Sequence, residues 1–288
     1  MTQKAVSDRD IYFFDLHGYL VIDKALSHQE TVKLNAVIDQ IPHLKPGQQW
    51  KGVYAHWYND NDGLNLQQIY EAGDPFERLI DHPAWYEHIK YFVGGEGTFD
   101  WHHGPLFIDE NFVNIRGSGE SIGMHSGGHL GAMRNQYQVV NRKFHCGQVN
   151  LLIALTDVGP GDGGTLLIPG SHKSNFAHPD ANYFEMYCKH AGEIPEGAIE
   201  IHMKTGDALL FVDTICHGGA KRTNDGQRRT VVYRYGPSWG RLRHNYKVSQ
   251  GLLSRLTPRR RDTIQPRSMN ANDQNDLDRF ANSGNKNA

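Results

Sequence analysis

Apolar positions recur at helical spacing early in the chain and at strand spacing later. Over residues 8–17, Ile11 and Phe14, with Phe13 beside them, share one face, and Gly18 supplies a C-terminal stop. Tyr19-Leu20-Val21-Ile22 is a brief extended run. Ser27 and Glu30 stand in the pattern of a capping box. The helix they open carries Leu34, Val37, Ile38 and Ile41 on one face and ends at Pro42. Residues 43–73 are polar and irregular, with Trp50, Tyr54, Trp57 and Tyr58 among them, and are expected to form a lid or a long surface loop. Asp74-Pro75 and His82-Pro83 mark two helix starts, the second running through Trp85, Ile89 and Phe92 to the glycines at 94–97.

Beyond residue 105 the pattern shortens. Strands are expected at 106–108, 113–115, 149–155, 165–168, 198–201, 208–212 and 230–235, separated by turn clusters such as Gly159-Pro160-Gly161-Asp162-Gly163-Gly164. Many short strands at this spacing predict a sandwich or jelly roll. The fold class is therefore α+β, mainly β, with N-terminal helices packed outside a barrel. A single domain is expected over residues 1–265, its helical part at about 8–95 and its β core at about 105–240. Residues 266–288 are polar, with too few apolar groups to offset ordering, and are expected to be mobile. Arg259-Arg260-Arg261 reads as a solvated helix face rather than a phosphate site.

Charge and composition narrow the function. Lys and Arg number 30 against 32 Asp and Glu, so no nucleic-acid polymer or membrane partner is indicated. Cys146, Cys188 and Cys216 match no zinc spacing and read as reduced thiols. With no apolar leader at the N-terminus, a cytoplasmic location is expected. Seventeen histidines raise the question of a metal. His125 and His217, on facing strands, suit Fe(II), whose open coordination positions let a co-substrate and O₂ bind together. Arg228 opens the last strand, where a planar guanidinium can take a carboxylate through two parallel bonds. Arg229 points to the other face. Asp207 with Asp213, and Ser171 with His172, suggest no hydrolytic site, and Gly161-Asp162-Gly163-Gly164 lacks the Lys-Ser/Thr of a phosphate loop.

Two stretches carry a family resemblance: Phe14 through Gly18-Tyr19-Leu20-Val21, and Gly163-Gly164-Thr165-Leu166-Leu167-Ile168-Pro169-Gly170-Ser171-His172. Over roughly residues 8–265 the chain resembles the phytanoyl-CoA dioxygenase-like branch of the Fe(II)/2-oxoglutarate oxygenases. The resemblance implies a double-stranded β-helix, the cupin-like jelly roll, and secondary metabolism as the setting. It implies His125 and His217 as iron ligands, Arg228 as the partner of the distal 2-oxoglutarate carboxylate, and Leu152 and Thr165 in the 2-oxoglutarate pocket. Gly219 falls where that family often has a Ser on the same carboxylate.

The departure is at His125-Ser126-Gly127, where the family has His-x-Asp. A sub-group with Ala or Gly there resembles this chain and halogenates unactivated carbon, because chloride takes both the position and the charge of the missing carboxylate. Ser126 and Gly127 are then the halide position, and chlorination of a small molecule is the expected reaction. Three alternatives stand beside it. His129 or Glu120 supplies a displaced third ligand to a hydroxylase, water fills the position, or the chain binds a small molecule without turnover. For the substrate, Trp50, Tyr54, Trp57, Tyr58 and Trp239 offer stacking surfaces, and Lys221, Arg222, Arg241 and Arg243 offer cations. A nucleotide or another anionic metabolite fits both sets.

Overall fold

The computed structural model describes residues 5–58, 62–94, 104–126, 136–176, 178–179, 181–182, 187–188, 194–238, 240 and 246–265. Two antiparallel sheets face each other. The strands in chain order are β1 (Tyr19–Ile22), β2 (Gln49–Trp50), β3 (Val53–His56), β4 (Leu64–Gln67), β5 (Leu106–Arg116), β6 (Ile122–His125), β7 (Tyr137–Val140), β8 (Lys143–Cys146), β9 (Val149–Ala154), β10 (Thr165–Leu167), β11 (Ala181–Asn182), β12 (Tyr187–Cys188), β13 (Ile199–Ile201), β14 (Ala208–Val212), β15 (His217–Gly219) and β16 (Arg228–Pro237). The large sheet runs β1-β14-β9-β16-β5-β4-β3-β2, the small one β13-β10-β15-β6, and β7-β8 and β11-β12 are separate hairpins.

Helices cover the outer face of the large sheet. They are α1 (Asp8–His17), α2 (His28–Gln40), α3 (Asp74–Glu77), α4 (Tyr86–Val93), α5 (Gln250–Arg255) and α6 (Pro258–Ile264). The expected capping box of Ser27 with Glu30 forms, and a second, of Ser7 with Asp10, opens α1, so both helices satisfy their first amides locally. Phe14 of α1 stacks on Phe92 of α4 at 3.7 Å between centroids, and Phe144 of β8 meets Phe92 edge-on. Alternation in β16 sorts its residues. Val231, Tyr233 and Tyr235 enter the helix-side core, where the tyrosine hydroxyls donate to the carbonyls of Phe76, Leu79 and Ile80. Arg228, Thr230, Val232 and Arg234 face the space between the sheets.

Several expectations need correction. Residues 43–73 are not one irregular loop: β2, β3 and β4 extend the large sheet by three strands. The polar residues that hid them, Asn65 and Gln67, are buried because this face borders an internal cavity. The two runs at 106–108 and 113–115 are one eleven-residue strand whose polar middle, Asp109-Glu110-Asn111, is also buried. Helix α4 begins at Tyr86, three residues after Pro83. Arg259 and Arg261 are solvent-exposed, as expected, while Arg259 and Arg260 are anchored as well. Both pair with the buried carboxylate of Asp81, at 2.9 and 2.5 Å. Cys146 and Cys216 are both buried, and no disulfide joins them. The tail 266–288, Trp239, Arg241, Arg243, His102, His103, Gly127 and His129 lie outside the described residues. Among the described residues no helix is long and apolar enough to cross a membrane.

Candidate active site

A cavity of about 380 Å³ lies between the sheets. His125, at the end of β6, and His217, at the start of β15, are direct cross-strand partners, and their ring centroids are 4.1 Å apart. His125 Nδ1 lies 3.0 Å from the Gly123 carbonyl, and His217 Nδ1 lies 2.8 Å from the Ile215 carbonyl. A carbonyl only accepts, so both Nδ1 atoms carry the proton and both Nε2 atoms carry the lone pair. That is the tautomer a metal takes. Burial, and then the neighbouring His125, hold His217 well below the ordinary imidazole range, so it stays neutral. Ser171, in the 3-10 turn after β10, accepts from the Cys216 amide at 2.7 Å and so anchors the backbone next to His217.

At one end of the cavity is Arg228. Its guanidinium is buried and donates to the Gly163 carbonyl and to Asn114 Oδ1, the latter at 3.0 Å, while its Nε has no partner. Neither acceptor is charged. Arg116 and Arg222 lie close by, and burial first, then these two cations, pull Arg228 down to about 9. A buried cation without a counter-ion is costly unless an anion joins it. Gly163 adopts φ +71, and a Cβ there would come within 2.9 Å of Arg116 Nη1, so the close approach of this turn to the arginines requires glycine. Arg229 points the other way, to Asp39 at 2.7 Å.

Toward the other side of the histidines the wall is again polar. Phe211 sits 4.7 Å from the His217 ring. Arg234 ion-pairs with the fully buried Glu110 at 3.2 Å, without the alignment of a hydrogen bond. Burial opposes its charge, but Glu110 and Asp213 outweigh that and raise it. Asn150 donates to Asp213 at 2.9 Å. Tyr58 donates to Glu110.

The cavity thus gathers His125, His217, Arg228, Leu152, Thr165 and Gly219 from the sequence-derived set. Ser126 turns the chain out of β6 at φ +64 and is not among the described residues lining the cavity. Glu120 is exposed and pairs with Lys221 at 2.7 Å. Among the described residues no group of three or more His, Cys, Asp or Glu is poised for a metal. Of the aromatic and basic residues considered for a substrate, Tyr58 lines the cavity. Trp57 lies on a separate groove, Lys51 sits over Trp50, and Arg222 is bonded to its own loop at the Asn224 and Asp225 carbonyls. Sequence reasoning missed Asn65, Asn114, Asn150 and Arg234. The available signal was the polar alternation in β5 and β16, strands too long and too central to be solvated.

Two facing antiparallel sheets with a histidine pair and a buried arginine between them define a double-stranded β-helix of the 2-oxoglutarate oxygenase type. The chain belongs to the phytanoyl-CoA dioxygenase (PhyH) family of Fe(II)/2-oxoglutarate-dependent oxidoreductases, whose profile matches residues 14–230. The dioxygenase cdmD of Talaromyces verruculosus is 27% identical over 123 residues, 42% of this chain and 37% of that protein. The iron/alpha-ketoglutarate-dependent dioxygenase penM of Penicillium thymicola is 35% identical over 112 residues, 38% of this chain and 32% of that protein. The matched stretch thus spans about a third of each of these relatives. HygX of Streptomyces hygroscopicus, solved with nickel and 2-oxoglutarate, superposes with a TM-score of 0.65 at 19% identity, over 86% of this chain and 94% of that one. It shares the fold. HygX has also been solved with hygromycin B bound.

Proposed function

We propose that this protein is an Fe(II)- and 2-oxoglutarate-dependent dioxygenase that oxidises a C–H bond of a small molecule. The observation that carries the reading is one cavity holding two Nδ1-pinned imidazoles and a buried guanidinium with no carboxylate in direct contact. The donor set fits the cofactors. The two Nε2 atoms suit Fe(II), and Arg228 suits a carboxylate excluded from water. His125 and His217 hold the metal, Arg228 takes the far carboxylate of 2-oxoglutarate, and Leu152 and Thr165 line its path. Bound Fe(II), 2-oxoglutarate and O₂ together supply the oxidant for C–H functionalisation. The protein's part is to bind, to orient and to exclude water. The dioxygenase names of cdmD and penM, and hygromycin B in HygX, support oxidation of a small molecule, although none of them fixes this chain's substrate.

Gly127 supports a second reading. With no carboxylate two residues after His125, chloride can occupy the vacated ligand position and chlorination replaces hydroxylation. In the hydroxylase reading, water or His129 fills it. One experiment separates them. Fe(II) and 2-oxoglutarate are added anaerobically to the protein and the visible charge-transfer band is recorded with and without chloride, for the wild type and for Gly127→Asp. A band that moves with chloride in the wild type and not in Gly127→Asp supports chlorination. A band indifferent to chloride in both leaves the hydroxylase. No band in either rules out the cofactor assignment.

A further inference from the structure

The arginine end of the cavity is backed by two asparagines on adjacent strands. Asn114 of β5 is the cross-strand partner of Asn65 of β4. Asn114 Oδ1 accepts from Arg228 at 3.0 Å, and Asn114 Nδ2 donates to the Asp62 carbonyl at 2.6 Å and to Asn65 Oδ1 at 3.1 Å. The polarity of this relay has one solution. A guanidinium only donates, so it must face the Asn114 oxygen. The Asp62 carbonyl only accepts, so it must face the Asn114 nitrogen. That nitrogen in turn requires the Asn65 oxygen. What remains of Asn65 is therefore its NH₂ group. Asn65 lines the cavity and is 1% exposed, and its Nδ2 has no partner. A buried, unpaired donor is expensive in a protein unless a ligand completes it.

We infer that Asn65 Nδ2 is a second donor to the anion that Arg228 binds, and that Asn114 is a positioning residue that holds the guanidinium and fixes the Asn65 amide. The seat then offers donors only. Its ligand is the far carboxylate of a dicarboxylate, and it rejects a 2-oxo acid that ends in an alkyl group. The inference rests on the proposed 2-oxoglutarate dependence. It also explains how a carboxylate is held where Gly219 brings no side chain to this wall.

The test is binding, without turnover. The full chain is loaded with Ni(II) and titrated calorimetrically with 2-oxoglutarate and with 2-oxobutyrate, which lacks the far carboxylate. Asn65→Ala should bind 2-oxoglutarate about 10-fold more weakly. Asn65→Asp is isosteric and keeps the bond from Asn114, but puts an anion where the donor was. It should lose more than about 100-fold, with its Ni(II) affinity unchanged. Asn114→Ala should shrink the preference for 2-oxoglutarate over 2-oxobutyrate while leaving Ni(II) affinity alone, which a merely structural role would not do. If Asn65→Asp and Asn65→Ala both bind 2-oxoglutarate like the wild type, the seat is overturned while the cofactor reading stands. If the wild type itself binds none, the cofactor reading falls and the seat falls with it.

Discussion

At the scale of single residues, the geometry of the paired histidines depends on small neutral bonds. Ser171 Oγ accepts the amide of Cys216, and Cys216 separates His217 from the carbonyl that pins its ring. Ser171→Ala should leave that buried amide unpaired, costing about 1–2 kcal/mol in stability. It should also lower metal affinity about 10-fold, as outer-shell losses do. Calorimetric titration with Ni(II) checks the second figure, and unchanged affinity would confine Ser171 to stability. His125, His217 and Arg228 were legible in the sequence because motifs surround them. Asn65, Asn114, Asn150 and Arg234 were not, because β4, β5, β9 and β16 bring them to one wall only after the sheet forms. No local pattern joins residues 65 and 114.

At the scale of elements, the junction of α1, β1 and the turn after β10 has a titration of its own. His172 donates through Nε2 to the Asp15 carbonyl at 3.0 Å, and its buried Nδ1 has no partner. Burial holds it down to about 4. The unfolded chain therefore takes up the proton first as pH falls. Stability from this group is complete above about pH 6.5 and is lost as pH drops toward 4, by up to the order of 3 kcal/mol. A melting series over pH 7 to 4 should show that decline in the wild type and a flatter profile in His172→Gln. Gly18 presses on the same ring. Its φ is +83, and a Cβ would lie 2.5 Å from His172 Nδ1. Gly18→Ala should therefore destabilise by about 1–3 kcal/mol through strain and overpacking, read as a lowered melting temperature. The helices α1 and α2 were legible because an apolar face and Gly18 mark the first and a capping box opens the second. The strands β2 to β4 were not, because they are only two to four residues long and β4 buries Asn65 and Gln67, whereas strand recognition relies on apolar alternation.

At the scale of the whole molecule, the C-terminal helices close the helical layer. Arg255 pairs with Glu77 at 2.8 Å, and Arg259 and Arg260 share Asp81. Both carboxylates are buried. Tyr246, just upstream, donates to Gln67, which in turn donates to Glu110. The last helices are thus wired to the cavity wall. Asp81→Ala should leave two arginines unmatched, cost about 1–3 kcal/mol and lower the melting temperature by about 3–8 °C. A variant that melts like the wild type would make the pairs ornamental. The global layout, helices outside facing sheets, was legible from the change in hydrophobic period near residue 105. The enclosure between the sheets of a cavity with buried polar side chains on its wall was not.

The stretch from Gly163 to His172 is the most recognisable part of the chain, yet three of its residues do mechanical tasks. Gly163 clears space for the arginines, Ser171 braces a backbone amide, and His172 bolts the first helix to the barrel. A search keyed to these residues therefore recruits proteins by architecture. A homologue that had lost both cavity histidines would keep the signature for as long as it kept the barrel. Sorting active descendants from inactive ones has to use the cavity wall instead.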